Sequence, residues 1–304
     1  MEKYDIIIIG AGPAGLTAGL YAGRQGKKTL VIDKNISGGA GRQVPAMENY
    51  PGFELIAGVS LIEKMKDQCV KNSDLHEFET IKSIEKIEDD NYNFKIITNK
   101  EDYNTKALIL ATGSTFRHLN VEGEKEFLGK GVAYCATCDG MFFKGKKVAM
   151  VGGGNSALQE AIYLYNIGCD VTIIHRRDKF RGDAFLQQKI KDKGINVIYN
   201  SNVKKIEGKN VVESITIVDN ENNETKLNLS AVFIAIGSVP QTELAESLDV
   251  ELDEDNYIKT DKSQRTNLRN VYASGDITGG VKQWVVACSE GAIAALSAYD
   301  DLER

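Results

Sequence analysis

The chain has 304 residues, a net charge of −6 and 42% apolar residues, which is enough for two domains with separate cores. The acidic balance argues against nucleic acid or an anionic membrane surface as a partner. No apolar run is long enough to cross a membrane, and the first residues lack the basic segment of a secretion signal. Five cysteines do not make a disulfide scaffold, and we expect a cytoplasmic protein.

The first thirty residues predict a dinucleotide-binding unit. An apolar strand runs into the motif Gly10-x-Gly12-x-x-Gly15, a helical stretch follows, and a second strand ends at Asp33. The first glycine makes a tight turn, the second lets backbone approach a pyrophosphate, and the third allows close packing of helix and strand. The helix start supplies N–H groups for phosphates. Asp33 predicts hydrogen bonds to the hydroxyls of a free ribose, as in FAD.

Two apolar strands later in the chain share an ending of glycine and serine. They are residues 106–114 and 231–238, and we expect each to end beside a cofactor. The polar, strand-like residues 80–105 predict a small sheet attached to the first domain.

Between these strands stands a C-x-x-C pair, Cys135 and Cys138, followed at once by Asp139. Such a pair is found in zinc sites, structural disulfides and redox centres. A zinc site usually needs a second close pair of ligands, and the other three cysteines are scattered singly. We therefore expect no metal site, and zinc is the weaker interpretation.

A second copy of the dinucleotide plan follows the pair. Its motif is Gly152-x-Gly154-x-x-Ala157, and its second strand ends at His175, 23 residues after the first glycine. The same spacing separates the first glycine of the earlier motif from Asp33. Two chance glycine turns would not share this spacing, so the repeat favours two nucleotide sites.

The second site lacks the ribose-binding acid and has arginines instead. They are Arg176, Arg177 and Arg181. Guanidinium groups bind phosphates through two parallel hydrogen bonds. The arginines therefore predict NADPH in preference to NADH; the alternative is a solvated basic strand end.

The motif order places one nucleotide domain inside the other. We expect a discontinuous FAD-binding domain, residues 1–115 and 244–304, and an inserted NADPH-binding domain, 116–243, which carries the C-x-x-C pair. The predicted fold class is α/β, with two Rossmann-like domains of the three-layer ββα, FAD/NAD(P)-binding type. Because the cysteines and the nicotinamide must both reach one flavin, we expect the inserted domain to rotate about its two connections.

The motifs in this order resemble those of the low-molecular-weight, bacterial-type NADPH-dependent thioredoxin reductases, over essentially the whole chain. They read GAGPAG, ENYPG, ATGS, CATCDG, GGGNSA, HRRDKFR, AIGSVP and YASGD. The resemblance implies a homodimeric enzyme that passes electrons from NADPH, through tightly bound FAD and the cysteine pair, to oxidised thioredoxin.

The resemblance also implies residue roles. Cys138 would lie nearer the flavin, Cys135 would attack the substrate disulfide, and Asp139 would move a proton; the alternative for Asp139 is a helix cap. The residues implied for FAD are Gly10, Gly12, Pro13, Ala14, Gly15, Asp33, Lys34, Gly38, Gly39, Asn49, Thr112, Gly113, Asp276, Lys282, Gln283 and Trp284. Those implied for NADPH are Gly152, Gly154, Asn155, Ser156, His175, Arg176, Arg177, Arg181 and Gly237.

Two departures from the family pattern bear on the flavin. Ala40 stands where the family has a glutamine that bonds the flavin, and whether Gln43 replaces it is open. Trp284 stands where a small residue is usual.

Two competing functions remain. One is a flavoenzyme of the same fold that serves another redox protein, donor or small dithiol; the retained second glycine motif and arginines argue against a donor other than NADPH. The other is a flavin- or metal-binding module without turnover, against which the intact CATCD sequence argues.

Overall fold

The computed structural model describes residues 1–44, 47, 49–89 and 91–304. These residues form two compact units. The first unit holds residues 1–44, 50–115 and 239–304, and the second holds Phe116–Ser238 with Met47 and Asn49. The domain bounds expected from the sequence stay a prediction.

The strands are numbered in chain order. They are β1 (Glu2–Ile9), β2 (Thr29–Ile32), β3 (Asp74–His76), β4 (Ile81–Lys86), β5 (Phe94–Thr98), β6 (Asp102–Leu110), β7 (Ser114–Phe116), β8 (Val132–Ala133), β9 (Lys147–Val151), β10 (Asp170–Ile174), β11 (Asn196–Ile198), β12 (Ser201–Gly208), β13 (Val212–Asp219), β14 (Glu224–Asn228), β15 (Ala231–Ile234), β16 (Ser238–Pro240) and β17 (Val271–Ala273).

The helices are numbered in the same way. They are α1 (Pro13–Arg24), α2 (Gly58–Cys69), α3 (Ala136–Asp139), α4 (Asn155–Asn166), α5 (Ala184–Asp192), α6 (Glu243–Glu246) and α7 (Trp284–Leu302). Short 3₁₀ turns span Gly39–Gln43, Gly140–Phe143 and Asp276–Thr278. Among the described residues, no helix is long and apolar enough to cross a bilayer.

The first unit is built on a seven-stranded sheet of order β3-β2-β1-β6-β5-β4, with β17 also paired to β6. Five strands, β1, β2, β3, β6 and β17, run parallel to one another. β4 and β5 are antiparallel to their neighbours. β5 pairs with the start of β6 and β17 with its end. The strands expected as a small attached sheet are therefore continuous with the main sheet of the first unit.

The apolar run of β1 has a simple cause. Ile7 and Ile9 pack into one core and Ile6 and Ile8 into another, on opposite faces of the sheet. Alanine-rich faces of α1 and α7 cover the second face. A parallel strand buried on both sides reads as a continuous apolar stretch.

The second unit has three layers. Its parallel sheet has the order β11-β10-β9-β15-β8. α4 and α5 pack on one face, through Leu158 and Ile190 among others. The antiparallel sheet β12-β13-β14 packs on the other, through Val203 and Ile215. The expected α/β fold of Rossmann-like domains is confirmed.

Candidate active site

The first glycine turn is built as its motif predicts. Gly10 has φ +105°, and a Cβ atom there would lie 2.3 Å from the carbonyl oxygen of Ala111. A Cβ atom at Gly15 would lie 1.8 Å from the carbonyl oxygen of Gly10. At Gly12 a Cβ atom would meet no atom within 4 Å, so the backbone faces open space. α1 then begins at Pro13, which leaves its first N–H groups directed at that space. The turn fits a dinucleotide pyrophosphate.

Asp33 is held against this turn. Its Oδ2 accepts a hydrogen bond of 2.7 Å from the N–H of Ala11, and its Oδ1 accepts one of 2.8 Å from the N–H of Asn35. The carboxylate is thereby fixed at the end of β2, where a ribose binds in dinucleotide folds.

Gln241, which the sequence analysis missed, joins two of the predicted flavin residues. Its Oε1 accepts a 2.9 Å hydrogen bond from Lys34 Nζ, and its Nε2 donates one of 2.9 Å to the carbonyl oxygen of Thr112. Thr112 Oγ1 donates in turn to the carbonyl oxygen of Gln241, at 2.7 Å. The signal for Gln241 in the sequence was its place directly after a strand, β16.

Trp284 packs on the loop after β2. A Cβ atom at Gly41 would lie 2.4 Å from Cζ2 of the indole, so position 41 needs glycine as long as position 284 is tryptophan. The indole also makes an edge-to-face contact with Tyr50, with ring centres 6.3 Å apart. Ala40 is exposed, and the side chain of Gln43 lies outside the described part of the chain.

Asp276 lies at the entrance to the 3₁₀ turn after β17. Ser114 Oγ is 3.4 Å from its Oδ2. Burial raises the pKa of Asp276, while the charge of Lys282 and the Ser114 hydrogen bond act to lower it. Nearby Gly275 donates its N–H to Glu290 of α7 at 2.7 Å, which fixes the turn.

The second glycine turn repeats the first. A Cβ atom at Gly152 would lie 2.4 Å from the carbonyl oxygen of Ala235, whereas one at Gly154 would meet nothing within 4 Å. α4 begins at the next residue, Asn155, whose amide group bonds to both the N–H and the carboxylate of Asp183, at 2.7 and 3.0 Å. This open turn at a helix start fits a second pyrophosphate.

His175 holds the arginine loop in place. Its ring is buried directly beneath Gly153, where a Cβ atom would lie 2.2 Å from the imidazole. Its Nε2 donates to the carbonyl oxygen of Lys179 at 3.0 Å, and Arg181 donates its N–H to the carbonyl oxygen of Gly153 at 2.8 Å. Burial and, to a lesser degree, the neighbouring arginines lower the pKa of His175. A buried imidazole here shapes the loop.

The arginines themselves are exposed. They are Arg176, Arg177 and Arg181. Within the described ranges, no carboxylate forms an ion pair with them. Their guanidinium groups therefore face solvent beside the second glycine turn.

The C-x-x-C pair is closed as a disulfide. The sulfur atoms of Cys135 and Cys138 are 2.11 Å apart. Both residues are partly buried, and α3 starts between them at Ala136. Of the other cysteines, Cys69 and Cys169 are buried and Cys288 is partly buried.

Asp139 is a partly buried acid that follows this disulfide directly in the chain. Its Oδ1 is buried and has no hydrogen-bond partner among the described residues. Burial raises the pKa of the Asp139 carboxyl to about 6. A carboxyl group with this pKa can donate or accept a proton near neutral pH.

Two further groups that the sequence analysis missed lie at the pair. Glu160 of α4 accepts a 3.1 Å hydrogen bond from the N–H of Ala136. Tyr134, the residue before Cys135, contacts His118 Nδ1 at 2.7 Å and donates to Glu124 at 2.7 Å. These contacts join residues that are distant in sequence, so no local motif announces them.

Several other predicted cofactor residues lie at turns or helix starts. Gly113 and Gly237 have positive φ angles of +72° and +105°. Gln283 precedes α7 as its N-cap, Ser156 is exposed in the first turn of α4, and Asn49 is exposed and groups with the second unit. The assignment of these residues to the two cofactors stays a prediction.

Comparison with known proteins identifies the family. The sequence pattern of the pyridine nucleotide-disulphide oxidoreductases matches residues 4–291. The chain belongs to this family.

Individual members of the family are similar over their whole length. Thioredoxin reductase of Bacillus subtilis is 39% identical over 306 residues, with 99% of this chain and 95% of that protein covered. The crystal structure of thioredoxin reductase from Streptococcus pyogenes has a TM-score of 0.91 at 36% identity, covering 99% and 98% of the two chains. Thioredoxin reductase from Giardia duodenalis has a TM-score of 0.91 at 36% identity, covering both chains completely.

The family membership settles the class of chemistry. The protein is an oxidoreductase that acts on a disulfide, and the Cys135–Cys138 pair fits the redox-active disulfide of that class. The family implies a flavin and a nicotinamide cofactor. The resemblance to thioredoxin reductases inferred from the sequence motifs is confirmed.

Proposed function

We propose that the protein is an NADPH-dependent thioredoxin-disulfide reductase that binds FAD and acts as a homodimer. The observation that carries the proposal is a closed Cys135–Cys138 disulfide followed by Asp139, whose Oδ1 is buried, in a unit that also holds a glycine turn fit for a dinucleotide. The names of the similar proteins support thioredoxin as the substrate.

The first glycine turn fits FAD. The open space at Gly12 leaves room for a pyrophosphate, and the fixed carboxylate of Asp33 suits a ribose with free hydroxyls. Asp276, Thr112 and the start of α7 would hold the rest of the flavin nucleotide.

The second glycine turn fits NADPH. An aspartate at the position that corresponds to Asp33 would repel a 2′-phosphate through its negative charge. The second unit has exposed arginines near this position instead. His175 orients their loop through the carbonyl oxygen of Lys179. When bound, the two cofactors supply hydride transfer and two electrons for the disulfide.

The chain's own residues complete the reaction with the substrate. Reduction breaks the S–S bond and gives two thiols. The Cys135 thiolate then attacks the substrate disulfide and forms a mixed disulfide with it. Cys138 attacks Cys135 in this mixed disulfide, which re-forms the Cys135–Cys138 bond and releases the reduced substrate. Asp139 holds the proton that the departing sulfur needs and takes one from the attacking thiol. Rotation of the inserted domain between the two stages stays a prediction, as does a cytoplasmic location.

The surface beside the pair fits a protein substrate. Met141 and Phe142, just after the pair, are 44% and 46% exposed. Exposed large apolar side chains next to a reactive group indicate a contact surface for a macromolecule.

Anaerobic titration of the purified protein tests the cofactor assignment. NADPH should bleach the flavin absorbance at lower concentration than NADH, and oxidised thioredoxin should restore it. A flavin that stays oxidised with NADPH would contradict the arginine assignment. Bleaching without recovery by thioredoxin would favour the second candidate, a reductase of another disulfide protein.

A further inference from the structure

Glu160 is an acidic residue that belongs to neither of the two predicted sets of cofactor-binding residues. It lies in the second turn of α4, where it is partly buried on the side of Ala157 and Leu164, both fully buried. Residues three or four apart share a helix face, so Glu160 lies on the face of α4 that packs against the core, and its carboxyl group is partly removed from water. An acidic group in such a place is costly unless it has a specific partner.

That partner is the redox turn. Glu160 Oε2 accepts the 3.1 Å hydrogen bond from the N–H of Ala136, the fully buried residue that follows Cys135. The N–H groups of Cys138 and Asp139 bond instead to the carbonyl oxygen of Cys135, at 3.3 and 3.2 Å. Because Ala136 is the first residue of α3, its N–H has no acceptor inside the helix. Glu160 supplies one from another element.

We propose that Glu160 is a positioning residue for the Cys135–Cys138 centre. Glu160 holds the Ala136 amide and thereby favours the disulfide over the dithiol. It acts through the backbone between the cysteines. The inference rests on the redox activity of the pair in the proposed function, and on neither thioredoxin nor NADPH.

Two effects of the side chain favour the disulfide. The hydrogen bond stabilises the turn in the closed state, and a negative carboxylate near the turn disfavours a thiolate in the open state. Burial raises the pKa of Glu160 to about 7, against the Ala136 hydrogen bond, so the group is only partly charged at neutral pH. An acceptor oxygen can face the Ala136 N–H in both charge states, whereas the negative charge is present in only part of the molecules.

Substitutions separate the two effects. Glu160→Gln keeps an oxygen acceptor for the Ala136 N–H and loses the charge, whereas Glu160→Ala loses both. Glu160→Met removes the acceptor at similar volume and replaces the alanine variant if that one does not fold. Gln159→Ala, at the exposed neighbouring position of α4, is the matched control.

The test is the equilibrium of the purified full-length protein with dithiothreitol. Dithiothreitol gives two electrons and two protons to the pair and becomes its cyclic disulfide; the S–S bond becomes two S–H groups. Samples at set ratios of reduced to oxidised dithiothreitol are quenched in acid and alkylated, and the mass counts the thiols. A change that merely loosened the fold would lower the unfolding temperature of both redox forms and leave this equilibrium unchanged.

We expect Glu160→Ala, or Glu160→Met, to shift the equilibrium constant about tenfold toward the dithiol, which is about 30 mV for a two-electron couple. Glu160→Gln should stay within about threefold of the natural protein, and Gln159→Ala should not differ from it. Three results would overturn the inference. They are an unchanged equilibrium in the variants without an acceptor, a shift toward the disulfide in those variants, and a shift of the same size in Glu160→Gln. A natural pair that stays oxidised at every ratio would overturn the redox role itself, and this inference with it.

Discussion

The hydroxyl group of Tyr134 donates a 2.7 Å hydrogen bond to Oε1 of Glu124, a residue only 2% exposed. The same carboxylate accepts the N–H groups of Leu119 and Asn120, at 2.9 and 2.6 Å. Burial acts to raise the pKa of Glu124, but these three hydrogen bonds lower it overall. The contact therefore ties the residue before Cys135 to a charged anchor in the loop at 119–124.

Tyr134→Phe tests this anchor. The ring keeps its stacking on Phe116, with centres 5.0 Å apart, but the buried carboxylate loses one partner. We expect the free energy of unfolding of the second unit to fall by about 1–3 kcal/mol. Urea denaturation measures it, with Tyr165→Phe at an exposed site of α4 as the control. An equal effect in both variants would contradict the anchor.

Asp139→Asn tests this partly buried acid through the pH dependence of the stability of the protein. The pKa of Asp139 is raised to about 6 in the folded protein, above its usual value of about 3.9 in an unfolded chain. The folded state therefore holds a proton that the unfolded state has lost, and this contribution destabilises the protein as pH rises from about 4 to about 6. At pH 8 the variant should be more stable by up to about 3 kcal/mol, and at pH 3 equally stable.

The same variant should lose about 10²-fold in the rate of thioredoxin reduction, the usual contribution of a positioned acid–base group. Unfolding midpoints at pH 3 and pH 8 and the turnover number check both expectations. If the variant gains no stability at pH 8, the Asp139 carboxylate is well hydrated in the folded protein and acts only as a turn residue.

Much of the site was predictable because its constraints are local. At Gly10 and Gly152 the chain must turn against a neighbouring strand, and only glycine avoids the carbonyl oxygens there. The C-x-x-C pair and its acid are likewise adjacent in sequence. These features need no tertiary structure to be recognised.

The supporting contacts were not predictable, because they depend on long-range packing. Glu160 reaches Ala136 across 24 residues, and Gln241 reaches Thr112 across 129. Each could only be suspected, from an acid on an apolar helix face or a polar residue after a strand. His175 lies buried under Gly153, a packing position that the sequence at a strand end does not reveal. Its role as a nucleotide ligand stays a prediction.

Phe142→Ser tests the surface proposed for the protein substrate. Removal of an exposed apolar contact should raise the KM for thioredoxin about tenfold and leave the rate of flavin reduction by NADPH unchanged. Phe185→Ser is the matched control, since Phe185 is 68% exposed in the same unit. If both variants raise KM equally, the contact surface lies elsewhere.

Arg176→Gln and Arg177→Gln test the choice of nicotinamide cofactor. Each should lower kcat/KM for NADPH by about 10- to 100-fold, because a charged hydrogen bond to phosphate is lost, and change the value for NADH by less than about threefold. Arg269→Gln, in the first unit, serves as the control. A parallel loss with both cofactors would show that the arginines shape the loop without reading the phosphate.

Electron transfer from NADPH to thioredoxin through the Cys135–Cys138 pair is tested most directly by thioredoxin-dependent NADPH oxidation. The proteins to compare are the natural protein, Cys138→Ser and Cys169→Ser. Cys169 is a buried thiol outside the pair, so its substitution controls for the loss of any sulfur. We expect the natural protein and Cys169→Ser to oxidise one NADPH for each thioredoxin disulfide reduced, and Cys138→Ser to fall to the rate without thioredoxin. Full thioredoxin reduction by Cys138→Ser would contradict this expectation.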